Sequence, residues 1–133
     1  MPETIIDTTD WPRVWYVMPA RVSDEEAPAH IAALQAVLDR REPFVLIFSG
    51  VELPKDSAAF FRLYRQWGKE TRALQQQFCR GAVRVEPDAG KRRSLWRKAL
   101  QYLTSRSVPY PYQVVADAHA AERQAQRWLQ DIH

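Results

Sequence analysis

Residues 44–61 read FVLIFSGVELPKDSAAFF, and this stretch decides the fold. An apolar run, Phe44–Phe48, stops just before Gly50, and after a short turn the polar pair Asp56-Ser57 stands where a long amphipathic helix begins. An apolar run without alternation predicts a strand that is covered on both faces, as in a parallel sheet. The stretch therefore predicts a strand–loop–helix corner of an α/β sheet, where a ligand, a modification or a partner protein could be accommodated.

Strands and helices alternate on either side of this corner. The residues from Ser23 to Glu26 match a capping box at a helix start, and Asp117 can cap the last helix. Gly81 is well placed as the C-cap of the helix that follows the corner. Alternation of this kind predicts one α/β domain over residues 1–133, with a mostly parallel or mixed sheet of four to five strands and about four helices. The predicted order ββαβαβαβα places strands at Thr4–Asp7, Val14–Met18, Phe44–Phe48, Ala82–Glu86 and Tyr112–Ala116, and helices from Ser23 to about Arg40, over Asp56–Cys79, over Arg92–Thr104 and after Asp117.

The composition is that of a globular protein, with 46% hydrophobic and 26% charged residues. No apolar run approaches the roughly 20 residues that span a bilayer. The acidic start, MPETIIDTTD, lacks the basic and apolar regions of a signal peptide. Cys79 is the only cysteine, so no disulfide can form within the chain. These features predict a protein of the reducing cytoplasm.

Charge is strongly segregated along the chain. Residues 1–61 carry 5 Lys/Arg against 10 Asp/Glu, a net charge of −5. Residues 62–106 carry 12 Lys/Arg against 3 Asp/Glu, a net charge of +9. Such asymmetry predicts either an acidic partner or mutual neutralisation of the two halves.

The basic half concentrates its cations on two helices. Spacings of three and four place the cations of the first helix on one face, and three cations in the first turn of the second oppose its dipole. This surface is either a solvated face or a docking site for an acidic protein, for lipid headgroups or for nucleic acid. No nucleic-acid-binding motif accompanies it, and the interleaved Tyr64, Trp67 and Trp96 fit the apolar stripes of the core. The candidate surface comprises Arg62, Arg65, Lys69 and Arg72, followed by Lys91, Arg92, Arg93 and Arg97.

Catalytic and metal-binding patterns are missing from the sequence. Cys79 has no motif that links it to His30 or His119, and the three histidines show no metal-ligand spacing. Gly50 is the only glycine in the strand–helix loop, so no glycine-rich phosphate cradle is present. We therefore expect a protein that is not an enzyme and needs no metal or cofactor.

The corner resembles the central segment of STAS domains, the family of sulphate transporter and anti-sigma factor antagonist domains. The matching pattern is the apolar strand Phe44–Phe48, then Ser49-Gly50-Val51, then Asp56-Ser57 at a helix start. VWYVMPARVSDEEAPAHIAAL and YQVVADAHAAERQAQRWL are similar to the opening and closing segments of the STAS/SEC14 branch. The resemblance implies that Ser57 takes the place of the family's phosphoserine, whereas Ala58-Ala59 replace the family's Ser-Gly.

Three hypotheses of function follow, all of them for binding proteins. The resemblance implies a regulatory protein-interaction module that docks near Asp56-Ser57 and the following helix. A small protein with segregated charge is also compatible with an immunity protein that neutralises a toxin. The SEC14 side of the resemblance and the basic stretch leave a carrier of a small apolar ligand or an anionic lipid as the third hypothesis.

Overall fold

The computed structural model describes residues 6–50, 54–105 and 110–130, with residues 98–105 described by their backbone alone. Ten elements form in that part of the chain, and they alternate as the sequence predicts. The strands are β1 (Ile6–Asp7), β2 (Arg13–Met18), β3 (Phe44–Gly50), β4 (Cys79–Val85) and β5 (Tyr112–Val115). The helices are α1 (Ala27–Asp39), α2 (Ala58–Glu70), α3 (Arg72–Phe78), α4 (Ala89–Ser105) and α5 (Ala118–Gln130).

The five strands form one mixed sheet in the order β1-β2-β3-β4-β5. β1 pairs antiparallel with β2, and the remaining neighbours pair in parallel. The predicted α/β class and its mixed sheet are thus confirmed. Thr4 and Ile5, which the sequence assigns to the first strand, lie outside the described residues.

The sheet has a helical layer on each face. Parallel strands that advance in one direction through right-handed crossovers place their connecting helices on the same face, and α1 contacts both α2 and α3. α5 instead packs on β3 and β4 from the opposite face. The strand order of the described sheet does not reverse, so it has no switch point of the kind where doubly wound folds open a ligand crevice.

β3 is covered on both faces, as its apolar run predicts. Phe44 belongs to the cluster that includes Val37 and Leu38 of α1. Val45 and Ile47 point the other way and pack with Ala121 and Ala125 of α5, among others. Each face of the strand therefore has its own core.

The long helix predicted over Asp56–Cys79 is wrong, because a break at Thr71 divides it into α2 and α3. The Thr71 hydroxyl donates to the carbonyl oxygen of Trp67 at 2.7 Å, and the Thr71 amide donates to the same oxygen at 2.9 Å. Hydroxyl back-bonding to the preceding turn bends helices. Here Thr71 is buried and its backbone leaves the helical region, with φ −107°.

Gly81 is not a helix C-cap. It lies within β4, where it pairs with Val45. A Cβ atom at this position would stand 2.3 Å from the Trp128 ring of α5. Glycine is therefore required here, because the indole of Trp128 lies directly on the strand backbone.

The remaining helix ends agree better with the sequence. Ser23 accepts a hydrogen bond from the Glu26 amide at 3.2 Å, as the capping box predicts, although α1 begins at Ala27. Asp117 accepts from the Ala120 amide at 2.8 Å and caps α5. α4 starts earlier than predicted because Asp88 accepts from the Lys91 amide at 2.9 Å. Among the described residues, no helix is both long and apolar enough to cross a membrane.

Candidate functional site

The corner that follows β3 is shaped by two residues with positive φ. Gly50 has φ 87°, and a Cβ atom there would lie 2.3 Å from the Met18 carbonyl oxygen on the neighbouring strand. Asp56 has φ 50°, a conformation that aspartate tolerates better than most residues. Both residues thus adopt left-handed backbone conformations, and the Asp56 side chain is exposed to solvent.

Ser57 joins this corner to a distant segment and does not cap α2 with its side chain. Its hydroxyl accepts from the Val22 amide at 2.8 Å and donates to the Lys55 carbonyl oxygen at 2.8 Å. The residue is only 2% exposed. Polar residues at a helix start predict N-capping, but the Ser57 side chain makes no capping hydrogen bond. The hydroxyl that would carry a phosphate is buried and makes two hydrogen bonds. This conformation therefore does not favour phosphorylation of Ser57.

Replacement of Ser57 by alanine should lower the free energy of unfolding by about 2 kcal/mol, because the buried Val22 amide loses its acceptor. Urea denaturation measures the change. Ser94, which is exposed on α4, provides the control, and its replacement by alanine should change stability by less than about 0.5 kcal/mol. Equal stability of the two variants would contradict the bridging role of Ser57.

His30 and Tyr16 form a buried polar pair next to Phe60 of α2. His30 is 5% exposed, and its Nε2 atom shares a hydrogen bond with the hydroxyl of Tyr16, which is 1% exposed. The centroid of the tilted Phe60 ring lies 4.7 Å from that of the imidazole, and the Nδ1 atom has no hydrogen-bond partner among the described residues. Burial lowers the pKa of His30, a shift that nearby Glu26 partly opposes, and burial raises the pKa of Tyr16. Both groups are therefore held neutral within the core.

Stability should fall as the pH drops through the ordinary histidine pKa of 6.5. Below that pH the unfolded chain takes up a proton that the buried His30 excludes, so the free energy of unfolding decreases by up to about 1.4 kcal/mol per pH unit. Urea midpoints measured between about pH 7.5 and 5.5 test this window, which lies above most carboxylate titrations. His30→Gln should remove much of the slope, whereas exposed His119→Gln should keep it. A slope that is the same in all three proteins would refute the assignment.

A cavity lies between the sheet and the layer of α1, α2 and α3. Its volume of about 20 Å³ admits one water-sized molecule. Polar groups on an otherwise apolar lining come from Tyr16, Tyr64, Gln75, Cys79 and Tyr110, beside the indole of Trp67. The space falls far short of the few hundred Å³ that small-molecule sites occupy.

Cys79 is buried, and burial disfavours its reactive thiolate form. It is the first residue of β4, not the end of a helix as predicted, and its thiol donates to the Gly81 carbonyl oxygen at 3.4 Å. Burial raises the pKa of Cys79 to about 12. Because the thiolate is the nucleophile, this residue is unreactive at neutral pH. Within the described ranges, no cluster of His, Cys, Asp and Glu could hold a metal ion.

The exposed face of α2 presents cations around a groove of about 440 Å³. None of these cations is paired with a carboxylate in the described part of the chain. Arg72, predicted to continue the stripe, lies beyond the helix break and does not line the groove. We name this surface the α2 groove, and its lining residues are Ala58, Phe61, Arg62, Arg65, Gln66 and Lys69.

The second basic group lies on a different element. α4 packs against β5, whereas α2 packs against α1 and α3. Arg92 is half-buried and donates to the carbonyl oxygens of Glu86 at 3.0 Å and Pro87 at 2.7 Å. Arg92 therefore anchors the β4–α4 turn, while Lys91, Arg93 and Arg97 remain exposed.

Trp96, predicted to be buried, is 38% exposed. Among the α4 side chains that the structure describes, Leu95 is the buried one, at 7% exposure. Adjacent residues on a helix point about 100° apart, so only one of the two can occupy the centre of a narrow buried face. Arg93 was the signal in the sequence, because it lies one turn before Trp96 on the same face of the helix.

Comparisons with known proteins assign no family to this chain. No family model, no curated protein and no solved structure matches the chain. The resemblance to STAS domains rests on the motifs quoted above, and it contributes only to the proposal that follows.

Proposed function

We propose that the protein is a non-catalytic interaction module whose α2 groove binds an acidic segment of a partner protein. The observation that carries the proposal is the groove itself, which Arg62, Arg65 and Lys69 line without being paired with a carboxylate in the described residues. Exposed cations of one sign steer an oppositely charged partner and orient it on arrival.

The groove combines charge with apolar contact area. Phe61 is half-buried and Ala58 is exposed, and both line the same surface as the cations. Protein interfaces are enriched in arginine and aromatic side chains at positions that dominate affinity. An acidic segment that also carries an apolar side chain would therefore fit this groove better than a purely acidic one.

The helix that carries the groove is firmly seated. Phe60 lies on the buried face of α2 and is 1% exposed. The Trp67 indole N–H of the same helix donates to the Gln35 side-chain oxygen of α1 at 2.8 Å. A rigid element presents its side chains at a lower entropic cost than a loop does. The buried and neutral state of His30 and Cys79 supports a role in binding instead of catalysis.

The STAS-like regulatory module and the toxin-neutralising immunity protein are two versions of this proposal, and they differ only in the partner. A neighbouring gene for a kinase or sigma-factor regulator would indicate the first, and one for a toxin or secretion system the second. The carrier hypothesis gains no support from a cavity of about 20 Å³.

Reversal of two groove charges should remove the partner. In quantitative co-purification from native cells, R62E/R65E should recover at least about tenfold less partner than the unmodified protein, as expected for charge reversal at an interface. The matched control is R123E/R127E, which reverses two exposed cations of α5 and should retain the partner. Equal recovery with both variants would contradict docking at the α2 groove.

A further inference from the structure

The α4 helix displays a tryptophan that the fold itself holds outward. Leu95 anchors the helix in the core, so Trp96 is turned toward solvent beside Arg93 and Arg97. Arg93 lies one turn before Trp96, on the same face of the helix. We name the surface formed by Arg93, Trp96 and Arg97 the α4 patch.

Interactions among the described residues do not account for the α4 patch. None of these side chains is paired with a carboxylate in the described residues. The nearby Asp88 carboxylate is engaged by the Lys91 amide, a bond that lowers the pKa of Asp88. Trp96 has no ring contact, cation–π contact or hydrogen bond in the described part of the chain.

We propose that the α4 patch docks the protein on the surface of a membrane that contains anionic phospholipids. Tryptophan favours the headgroup region of a bilayer, where its ring is apolar and its N–H remains hydrated. Each cation close to an anionic surface strengthens binding about fivefold. A lipid surface needs no complementary pocket, so it fits a half-exposed ring on a helix whose other side is committed to the core.

A membrane fits the α4 patch better than a nucleic acid does. Single strands are bound by several aromatic rings on which successive bases stack. Tyr64 and Trp67, which the sequence interleaves with the cations of α2, line the internal cavity. The α4 patch is also separate from the α2 groove, so this proposal stands without the proposed function.

Vesicle flotation of the full chain tests the proposal. The protein should float with vesicles of phosphatidylcholine that contain about 30% phosphatidylserine, and not with phosphatidylcholine alone. Binding should weaken steeply as salt rises above roughly 0.1 M. R93E/R97E should reduce binding at least about tenfold, W96A should reduce it several-fold, and the charge-matched R123E/R127E should reduce it much less.

Three results would overturn the proposal. The first is failure to float with the anionic vesicles at low salt, and the second is an equal loss of binding in R93E/R97E and R123E/R127E. The third is tight binding of a single-stranded oligonucleotide that R93E/R97E abolishes while vesicles remain unbound, which would reassign the patch to nucleic acid. Circular dichroism melting of each variant checks that the fold is retained, and the exposure of all substituted residues predicts that it is.

Discussion

Replacement of Phe60 by alanine should lower the free energy of unfolding by about 4 kcal/mol. The ring is 1% exposed and contacts the rings of His30, Phe61 and Tyr64, with centroid distances of 4.7, 5.6 and 5.5 Å. Its removal would leave a cavity beneath α2 that rigid neighbours cannot fill. Urea denaturation monitored by circular dichroism measures the loss, and exposed Val17→Ala, expected to cost less than about 1 kcal/mol, is the control.

The same substitution has a functional consequence. Because Phe60 seats the helix that carries the α2 groove, Phe60→Ala should also weaken partner recovery at temperatures where the protein remains folded. If Phe60→Ala lowers the free energy of unfolding by less than about 1 kcal/mol, Phe60 does not anchor α2.

Replacement of Gly81 by alanine should cost about 3 kcal/mol, because a single methyl group must displace the Trp128 ring or the strand. The clash is with a large ring, 2.3 Å from the added Cβ, and the backbone of β4 is fixed by strands on both sides. Gly68 is the matched control. A Cβ atom there meets nothing within 4 Å, so Gly68→Ala should stabilise α2 by about 0.5–1 kcal/mol.

A double-mutant cycle isolates the contact. In a Trp128→Ala background, Gly81→Ala should cost far less than in the unmodified protein, because the ring that it meets is gone. Equal costs in the two backgrounds would show that the close approach of Trp128 to β4 does not determine the stability of this face.

The sequence was sufficient to predict the alternation of strands and helices and the double burial of β3. Both depend on local patterns, namely the continuous apolar run of Phe44–Phe48 and the helical spacing that follows. The caps at Ser23 and Asp117 were also predictable, because each acts on residues within three positions.

Long-range contacts explain what the sequence did not predict. The Ser57 hydroxyl bonds to Val22, 35 residues earlier, and no local pattern announces that bond. Local sequence predicts that Gly81 ends a helix. The contact that requires glycine there comes from Trp128 of α5, which is distant in the sequence. The break at Thr71 was easier to predict from the sequence, because the hydroxyl of a threonine within a helix can donate a hydrogen bond to a carbonyl oxygen of the preceding turn.

The candidate site was predictable as a set of charges but not as a surface. Spacing placed the cations of α2 together, whereas only the fold separates Arg72 from the α2 groove and commits Arg92 to the β4–α4 turn. The burial of His30 was likewise not predicted, although its three- and four-residue spacing from Ala27 and Leu34 put it on the apolar face of α1.

Site-specific photo-crosslinking in native cells tests the central claim most directly. A photoreactive amino acid at Gln66, which lines the α2 groove, should crosslink one partner protein with high yield. The same group at Gln126, exposed on α5, should not. Crosslinking of the partner from position 126 but not from position 66 would contradict binding at the α2 groove.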